Sequence, residues 1–366
     1  MDIKQSKARV LAYYLPQFHP IPENDEWWGK GFTEWTNVGK AKPLYPGHYQ
    51  PHVPADLGYY DLRVPETREA QAQMARDYGV EGFVYWHYWF GNGKRLLERP
   101  FNEVLASGKP DFPFALAWAN ETWTGSFHGL KEGNTLIEQT YPGDEDYVAH
   151  FNALLPAFKD KRYITCEGKP LFFVYHAWQI PDLSHFCSLW QELAKANGID
   201  GIFFVCLEND QYDLIEEKKL LSERLDSGFS ALAPVNMYRN YKKSLKVKLL
   251  RKVFYKMLKC VPNMVPYDTN SMKSPLDADV NVFPMVYPGW DHTPRTGKKG
   301  VVVYGNTPEL FEKAVRNAVS SVSGKPRERQ IVMIKSWNEW AEGNYMEPDL
   351  KWGKRYLEAL KKALYD

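Results

Sequence analysis

Two glutamates near residue 340 have the type, spacing and neighbours that glycosidic bond cleavage requires. Glu339 and Glu342 lie three residues apart in the segment WNEWAEG, directly after an apolar run at 331–334 that predicts a buried strand. A strand-to-helix turn places positions i and i+3 on one side, so both carboxylates can face one cavity. One can protonate a leaving oxygen while the other acts on the sugar. The spacing alone equally allows two solvated loop glutamates beside core tryptophans.

The rest of the chain predicts a single (β/α)8 barrel with elaborated loops at the carboxyl ends of its strands. Apolar runs alternate with helical patterns, and no Gly-rich phosphate loop follows the first strand, which disfavours a doubly wound open sheet. The predicted strands are 10–15, 82–90, 114–118, 171–176, 201–207, 229–234, 282–287 and 331–334. We therefore predict one catalytic barrel over residues 1–366, with a basic helical insertion at 239–279 between strands six and seven.

Two local patterns add detail to this prediction. Residues 16–62 read as a long loop rich in Pro, Gly, Trp and Tyr, and a loop of that length in a compact domain is usually functional. Asn306, with Glu309 three residues later, resembles a capping box that would start the helix before the last strand.

The active site of such a barrel lies at the carboxyl ends of its strands. Most predicted strands end in an aromatic residue next to a hydrogen-bonding one, and aromatic residues make up 15% of the chain. Aromatic side chains among polar neighbours suit sugar stacking, although protein interfaces use the same residues. The candidate substrate-binding residues are Tyr14, Gln17, His19, Trp35, Trp86, His87, Tyr88, Trp89, Trp118, Asn120, Glu121, Trp123, Trp290, Asp291 and Asn338.

Other acids and other chemistries compete with this assignment. Glu121, Glu208, Asp210 and Asp291 also follow strands, but a helix cap or a partner for an arginine such as Arg295 is the commoner role for each. The spacing of His, Asp and Glu matches no metal motif, so neither a metal nor another cofactor is predicted. The net charge of +1 gives no reason to expect a nucleic acid partner.

Cysteine usage and hydropathy predict a cytoplasmic protein. Cys166, Cys187, Cys206 and Cys260 show no CxxC spacing and are interpreted as free, mostly buried thiols in a reducing compartment. The first residues show no apolar signal region, and no apolar run reaches 18 residues.

The stretch 239–259 departs from this background. It has nine Lys or Arg and no acid, interleaved with apolar residues. A basic amphipathic helix can lie on an anionic membrane, which would place the protein at the periphery of the inner membrane. An outer barrel helix with a solvated basic face is the commoner alternative.

Six motifs, spread over nearly the whole chain, resemble the WbsX-type proteins of bacterial polysaccharide gene clusters, which are often labelled glycosyltransferases. The motifs are AYYLPQFHPIPENDEWWGKGFTEWTNV, PLYPGHYQPHVPADLGYYDLR, GFVYWHYWFGNGKRLLERPF, DFPFALAWANETWT, YPGWDHTPR and WNEWAEGNYMEPD. These proteins are in turn similar to glycoside hydrolase family 99, mainly through the barrel and an Asn-Glu-Trp-x-Glu segment.

The resemblance to family 99 implies a retaining, endo-acting enzyme for α-linked, mannose-like glycans, with Glu339 and Glu342 catalytic. The first glutamate would act as a base on the sugar 2-hydroxyl, which attacks the anomeric carbon to give a 1,2-anhydro sugar. The second would act as the general acid. Two departures bear on sugar specificity: Ala341 stands where family 99 commonly has His, and WANETWTGSFHG lacks the Arg-rich continuation usual after Trp123.

Three functions stay open at this point. The first is a glycoside hydrolase-like enzyme acting on a bacterial cell-surface polysaccharide or its precursor. The second is a glycosyltransferase or transglycosylase of O-antigen or capsule biosynthesis, although the two DxD matches, at 144–146 and 277–279, precede a predicted helix and a predicted strand instead of ending a strand. The third is a glycan-binding protein that has lost turnover.

Overall fold

Eight parallel strands form a nearly closed barrel, which confirms the predicted (β/α)8 fold. The computed structural model describes residues 5–125, 134–208, 214–234, 263–270 and 272–366. The strands are β1 (Arg9–Tyr14), β2 (Gly82–Trp89), β3 (Phe114–Trp118), β4 (Lys169–Val174), β5 (Phe203–Glu208), β6 (Ala231–Pro234), β7 (Met285–Val286) and β8 (Ile331–Ile334). Each pairs with the next in the order β6-β5-β4-β3-β2-β1-β8-β7.

The seam between β6 and β7 is closed by a single parallel bridge between Leu232 and Val282. The Leu232 N–H donates to the Asn281 carbonyl, and the Phe283 N–H donates to the Leu232 carbonyl, each at 2.8 Å. The segment before β7 therefore connects the barrel wall to β6, although β7 itself is only two residues long. Pro284 follows directly and has no N–H to donate, which explains why the predicted strand 282–287 is interrupted.

Helices cover the outside of the barrel. The outer helices are α1 (Pro65–Asp77), α2 (Arg99–Ser107), α3 (Asp144–Phe158), α4 (Leu183–Ala196), α5 (Leu214–Asp226), α6 (Pro308–Val322) and α7 (Arg355–Tyr365). Short helices in the loops cover Pro22–Trp28, Glu34–Lys40 and Thr293–Thr296. Short strands outside the wall are Arg95–Leu96, Trp123–Thr124, Thr135–Ile137, Thr165–Cys166, Asn263–Pro266, Trp290–Asp291, Val301–Tyr304, Asn338–Glu339 and Asn344–Tyr345.

Because both faces are covered, β1, β3, β4 and β8 are buried along almost their whole length, as expected for parallel strands between a core and a helix layer.

The start of α6 differs from its prediction. Thr307, not Asn306, caps the helix, and its hydroxyl accepts the Leu310 N–H at 3.3 Å. Pro308 fixes the first helical position, which shifts the cap by one residue. Asn306 instead donates to the Pro288 carbonyl and to the Tyr356 hydroxyl, each at 3.1 Å. It thereby ties the loop after β7 to α7.

The predicted basic helical insertion at 239–279 falls largely on residues 239–262, outside the described part of the chain, and so does the predicted membrane contact at 239–259. The described remainder contains a strand, Asn263–Pro266, which pairs in parallel with Val301–Tyr304, and a 3₁₀ turn, Pro275–Ala278. The described end of the insertion therefore contains a strand and a 3₁₀ turn, whereas the prediction was a basic helix. None of the described helices is long and apolar enough to cross a membrane.

Candidate active site

The two glutamates lie on a tight turn directly beyond β8. After Ile334 the chain forms a two-residue strand, Asn338–Glu339, and then a 3₁₀ turn, Trp340–Glu342. Side chains three residues apart eclipse in a 3₁₀ turn, so the carboxyl groups of Glu339 and Glu342 point the same way. Both residues are buried, at 5% and 9% exposure, although the turn is at the open end of the barrel.

Gly343 allows the chain to leave this turn. Its backbone φ of +58° is in the left-handed region, and a Cβ atom there would come within 2.8 Å of the Asp291 Cβ. The turn that carries both carboxyl groups is therefore pressed against the loop after β7.

Glu339 has an apolar environment with few donors. The Trp86 indole N–H from β2 donates to its Oε1 at 3.0 Å, and the Lys335 Nζ lies 3.8 Å from its Oε2. Burial raises the pKa of Glu339 to about 7. The charge of Lys335 opposes this rise, and the charge of Glu342 adds to the rise. Tyr13 stacks on Trp86 at 5.0 Å and completes the apolar wall.

Glu342 has a charged environment instead. The Arg295 guanidinium, from the short helix Thr293–Thr296, donates directly to its Oε1. The same guanidinium contacts both carboxylate oxygens of the fully buried Glu34, at 3.2 and 3.3 Å. His292 Nε2 is 3.9 Å from Glu342 Oε1, but burial, and then the charge of Arg295, lower the pKa of His292 to about 4. His292 is therefore neutral at neutral pH.

Aromatic rings lead from Glu339 to the surface on one side. Tyr175 lies edge-on to Trp86 at 5.8 Å, His176 contacts Tyr175 at 4.0 Å, and Trp178 contacts His176 at 4.4 Å. Trp178 is 44% exposed. Partly exposed rings beside hydrogen-bonding groups can stack on sugar rings.

A cavity of about 130 Å³ lies next to the turn, and Gly343 is among its lining residues. Trp290 also lines it, and the Trp290 ring lies 5.3 Å from the Lys335 Nζ, which is itself 3.8 Å from Glu339 Oε2. Tyr49, Tyr345 and Trp352 also line it. Aromatic walls are thus present on both sides of the glutamate pair.

Five of the predicted binding residues lie near the pair or along these aromatic walls. Trp86 and Trp290 flank Glu339 as described. Tyr88 contacts Trp123 edge-on at 5.1 Å, and the charge of Glu339 contributes, after burial, to raising the pKa of Tyr88. Glu121 Oε2 lies 3.4 Å from His176 Nε2. The loop after β3 therefore extends the same polar and aromatic surface.

The polar atoms of most other predicted binding residues are engaged inside the protein. Asp291 accepts four hydrogen bonds, from His48, Gln50 and both polar groups of Thr293. Asn338 accepts the Leu15 N–H at 2.7 Å and so fastens the turn to the end of β1. Internal contacts of this kind are also made by Tyr14, Trp35, His87, Trp89, Trp118 and Asn120. These contacts hold the residues in the framework of the barrel, and substrate contact stays a prediction for each of them.

Two predicted residues in the loop after β1 remain less defined. The Gln17 Nε2 and the His19 Nε2 are buried and have no hydrogen-bond partner among the described residues. Of the competing acids, Asp210 and the side chain of Glu208 lie outside what the structure describes.

Strand alternation determines which way the predicted residues of β1 and β2 face. Successive side chains of a strand face opposite sides, so a choice wrong by one residue selects the wrong face. Tyr14 points outward and donates to Gln71 on α1 at 2.7 Å, whereas Tyr13 packs on Trp86 beside Glu339. His87 likewise faces outward, where its Nε2 lies 2.8 Å from that of His150 on α3.

Four residues that the sequence analysis did not select as site residues shape the site, namely Glu34, Arg295, Lys335 and Glu347. Arg295 was considered there only as a possible ion-pair partner of an acid. Arg295 ends the motif YPGWDHTPR and Glu347 lies in WNEWAEGNYMEPD, so the motifs contained a signal. Their contacts, however, join loops that are far apart in the chain. Among the described residues, no group of three or more His, Cys, Asp or Glu could hold a metal ion.

Replacing Glu339 by glutamine should change the pH dependence of stability. A carboxyl group with an ordinary pKa of 4.5 and a folded-state pKa of about 7 binds its proton more tightly when folded. It therefore destabilises the fold progressively as pH rises from about 4.5 to about 7, and no further above that. Over this range the free energy of unfolding of Glu339→Gln should increase relative to that of the wild type by about 3 kcal/mol.

Urea unfolding of both proteins at a series of pH values measures this difference in the free energy of unfolding. The other titrating groups are the same in both proteins, so their contribution cancels in the difference. The Glu121→Gln variant, which removes a partly exposed glutamate outside the pair, is the control. A constant difference between Glu339→Gln and the wild type would contradict the prediction.

Comparisons with known proteins agree with the geometry. The model of the family described as "Glycosyltransferase WbsX" matches residues 10–360. Two proteins described as "Uncharacterized protein WxcX", from Xanthomonas campestris pv. campestris strains B100 and ATCC 33913, are 34% identical over 366 residues and 35% identical over 362 residues. In both cases the match covers 98% of this chain and 50% of the relative, so the chain spans about half the length of these relatives.

Solved structures show the same fold at low sequence identity. A "glycoside hydrolase-like protein" superposes with a TM-score of 0.60 at 15% identity, covering 98% of this chain and 94% of that one. The GH99 endo-alpha-mannosidase from Bacteroides thetaiotaomicron superposes with a TM-score of 0.56 at 15% identity, covering 97% and 95%.

Proposed function

The chain belongs to the family described as glycosyltransferase WbsX, and we propose that it is a glycoside hydrolase-like enzyme acting on a bacterial cell-surface polysaccharide or its precursor. The proposed substrate is an α-linked, mannose-like glycan, cleaved internally with retention. The proposed catalytic unit is the single barrel over residues 1–366, including the insertion at 239–279. We place the protein in the cytoplasm, with contact to the inner membrane through 239–259.

One observation carries this proposal: two buried carboxyl groups, Glu339 and Glu342, face the same way at the carboxyl end of β8, between aromatic walls. Their environments differ, since Glu339 meets an indole N–H and Glu342 meets a guanidinium. Two neighbouring carboxyl groups in different environments, one of them with a pKa raised to about 7, suit acid–base chemistry at neutral pH. Partly exposed rings on either side, such as Trp178 and Trp290, suit a glycan longer than one sugar.

The closeness of the two groups argues for participation of the substrate. Glu339 directly precedes the 3₁₀ turn that ends at Glu342, and the charge of Glu342 adds to the raised pKa of Glu339. The two carboxyl groups of a classical retaining enzyme stand about 5 Å apart and flank the bond from opposite sides. Two adjacent groups on one turn fit a route in which a sugar hydroxyl supplies the internal nucleophile, through a 1,2-anhydro sugar.

A transferase is the second candidate, and the family description favours it. A retaining barrel can pass the glycosyl group to an acceptor sugar in place of water, so a transglycosylase would use the same residues. A nucleotide-sugar transferase with a metal-binding DxD has less support. Of the two matches, Asp144 to Asp146 start α3 and Asp277 to Asp279 lie in and after a 3₁₀ turn, not at strand ends.

Product analysis by mass spectrometry tests the proposal. The protein is incubated with a panel of α-linked, mainly mannose-containing oligosaccharides, with and without sugar nucleotides. We expect shorter glycans, or products of glycan exchange, without added nucleotide. Longer glycans formed only with nucleotide would establish the nucleotide-sugar transferase instead. Tight glycan binding without any product would indicate a binding protein that keeps the site and lacks turnover.

A further inference from the structure

We propose that the cavity next to the turn beyond β8 is a second sugar-binding site, in which His52 Nε2 accepts a hydrogen bond from a hydroxyl of one uncharged sugar unit. Tyr345 is the positioning residue of this site, because it holds the imidazole in the form whose Nε2 is free to accept. That the bound unit belongs to the glycan converted at the glutamate pair rests on the proposed function.

The cavity has the size and position of a site for a single sugar unit. Its volume of about 130 Å³ is smaller than the roughly 300–1,000 Å³ of pockets that hold drug-sized ligands. Its lining includes the exposed residues Gly47 and Lys351, so it opens to solvent. Trp290 connects it to the glutamate pair, since its ring stacks at 6.0 Å on His292, whose Nε2 lies 3.9 Å from Glu342 Oε1.

Three hydrogen-bonded side chains follow one another in the wall of this cavity. Asp349 is the buried end of the series, and its Oδ1 accepts the Trp352 backbone N–H at 2.6 Å. The Tyr345 hydroxyl donates to Asp349 Oδ2 at 2.8 Å and lies 2.7 Å from His52 Nδ1. All three residues line the cavity. The series therefore runs from a buried carboxyl group to an imidazole at the cavity.

These contacts determine which nitrogen of His52 carries a proton. Burial, and then the charge of Asp349, raise the pKa of Tyr345 well above its ordinary value, so the phenol keeps its single proton and gives it to Asp349. The Tyr345 oxygen can then only accept, which places the imidazole proton on His52 Nδ1. Burial lowers the pKa of His52, against the charges of Asp291 and Asp349, so the ring is neutral at neutral pH. Its Nε2 therefore carries no proton.

His52 Nε2 is consequently an acceptor in the cavity wall. His52 is partly exposed, and its hydrogen bond to Tyr345 uses the other ring nitrogen. Stacking on Tyr49 at 4.6 Å holds the plane of the imidazole. Asp349 already accepts a donor at each oxygen, so it is satisfied without the histidine. What His52 adds is an acceptor, and a hydroxyl is a donor that fits it.

The charges around the cavity favour an uncharged ligand. Asp291 and Asp349 are buried in its lining, and their negative charges disfavour an anion. Lys351 at the opening disfavours a cation, and its ammonium lies 4.7 Å from the ring centroid of Tyr49 and 4.9 Å from that of Trp352. A sugar hydroxyl donates a hydrogen bond without carrying a charge. An uncharged sugar unit therefore meets both conditions.

Histidine NMR on the whole protein tests the proposal. The nine histidines are labelled with ¹⁵N, and the signals of His52 are those missing from the His52→Phe variant. In the free protein at neutral pH we expect a proton on His52 Nδ1 and none on Nε2. Titration with the methyl α-glycosides of mannose, rhamnose, glucose and galactose should shift the Nε2 signal, as a new hydrogen bond does, for at least one of them. A proton on Nε2 in the free protein, or no shift with any of these sugars, would overturn the proposal.

Two variants separate the roles of His52 and Tyr345. His52→Phe keeps an aromatic ring beside Tyr49 but has no acceptor, so it should bind the sugar about five- to tenfold more weakly, the usual effect of one neutral hydrogen bond. Tyr345→Phe keeps the ring that stacks on Trp340 but no longer fixes the tautomer of His52. Its affinity should fall in proportion to the molecules that leave the Nδ1–H form, a fraction that the same spectra measure. Wild-type affinity in His52→Phe, or a changed tautomer in Tyr345→Phe without the matching loss of affinity, would overturn the proposal.

Tyr304→Phe is the matched control. Tyr304 lines the same cavity and is 46% exposed, and it is not a member of the hydrogen-bonded series. Its variant loses the same hydroxyl group and should change neither the tautomer of His52 nor the affinity. If His52→Phe does not fold, Tyr345→Phe decides the question, because its change of tautomer identifies the His52 signals. None of these measurements needs turnover, so a failure here is distinct from a failure of the proposed function, which the product analysis detects.

Discussion

Glutamine in place of Glu342, or of Glu339, should lower glycan turnover by about 10²- to 10⁴-fold, the usual contribution of a positioned acid or base. Glutamine keeps the size of the side chain and can still accept one hydrogen bond, so the turn beyond β8 should stay in place. Neither variant can donate or take a proton at that position, which is the function assigned to it. Turnover is measured by mass spectrometry on whichever glycan the wild-type protein converts.

The matched control for this prediction is Glu121→Gln. Glu121 is also a glutamate on a loop at the carboxyl end of the barrel, but its carboxylate lies beside His176 and not in the pair. We expect it to retain turnover within about tenfold of the wild type, since glutamine replaces at most one charge-assisted hydrogen bond to the substrate by a neutral one, a loss of about 1 kcal/mol. Wild-type turnover in Glu339→Gln or Glu342→Gln, or a loss in Glu121→Gln as large as theirs, would exclude the pair as the catalytic unit.

The fold was predictable because its signals are local. A buried parallel strand reads as a short apolar run, and this pattern placed β3 and β8 at their observed ends. The turn that carries Glu339 and Glu342 was predictable for the same reason, because the two residues are three positions apart in one segment and a tight turn brings them to one side. Neither inference required knowledge of a distant part of the chain.

The environment of the pair was not predictable in the same way. Glu34 and Arg295 are 261 positions apart, and Trp86 and Glu339 are 253 apart. Contacts of this kind depend on how loops from different strands meet above the barrel, and no periodicity in the sequence records them. The face of a strand is equally hard to fix when both faces are buried and aromatic, as the exchange of Tyr13 for Tyr14 shows.

These long-range contacts give each glutamate its own chemistry. The loop after β1 supplies Glu34, the loop after β7 supplies Arg295, and β2 supplies Trp86, so three separate elements act on one turn. The turn itself must be rigid, because a shift of about 1 Å at a reacting group can cost a large part of the rate. The part of the structure that supplies this rigidity is the buried carboxylate of Glu347.

Glu347 to Gln should destabilise the protein by about 2–4 kcal/mol and lower turnover as well. Burial raises the pKa of Glu347 to about 7, as it does for Glu339, but four hydrogen bonds to the Glu347 carboxylate oppose this rise, and they include those from Tyr60 and Gln71. The Trp337 indole N–H donates to its Oε1 at 3.0 Å and the Trp340 indole N–H donates to its Oε2 at 2.6 Å. An amide has one accepting oxygen, so one of the two indoles would face an NH₂ group. Trp337 lies two residues before Glu339 and Trp340 lies between Glu339 and Glu342, so the loss should reach the glutamate pair.

Urea unfolding and turnover, measured on the same preparations, test this prediction. The exposed Glu358→Gln on α7 is the matched control and should change neither quantity beyond error. The catalytic variant Glu342→Gln provides the opposite comparison, because it should lose turnover without a comparable loss of stability. If Glu347→Gln were as stable as the wild type, the two indoles would have to be held by packing alone. The rigidity of the turn would then come from the aromatic contacts around it, such as the stacking of Trp340 on Tyr345 at 3.8 Å.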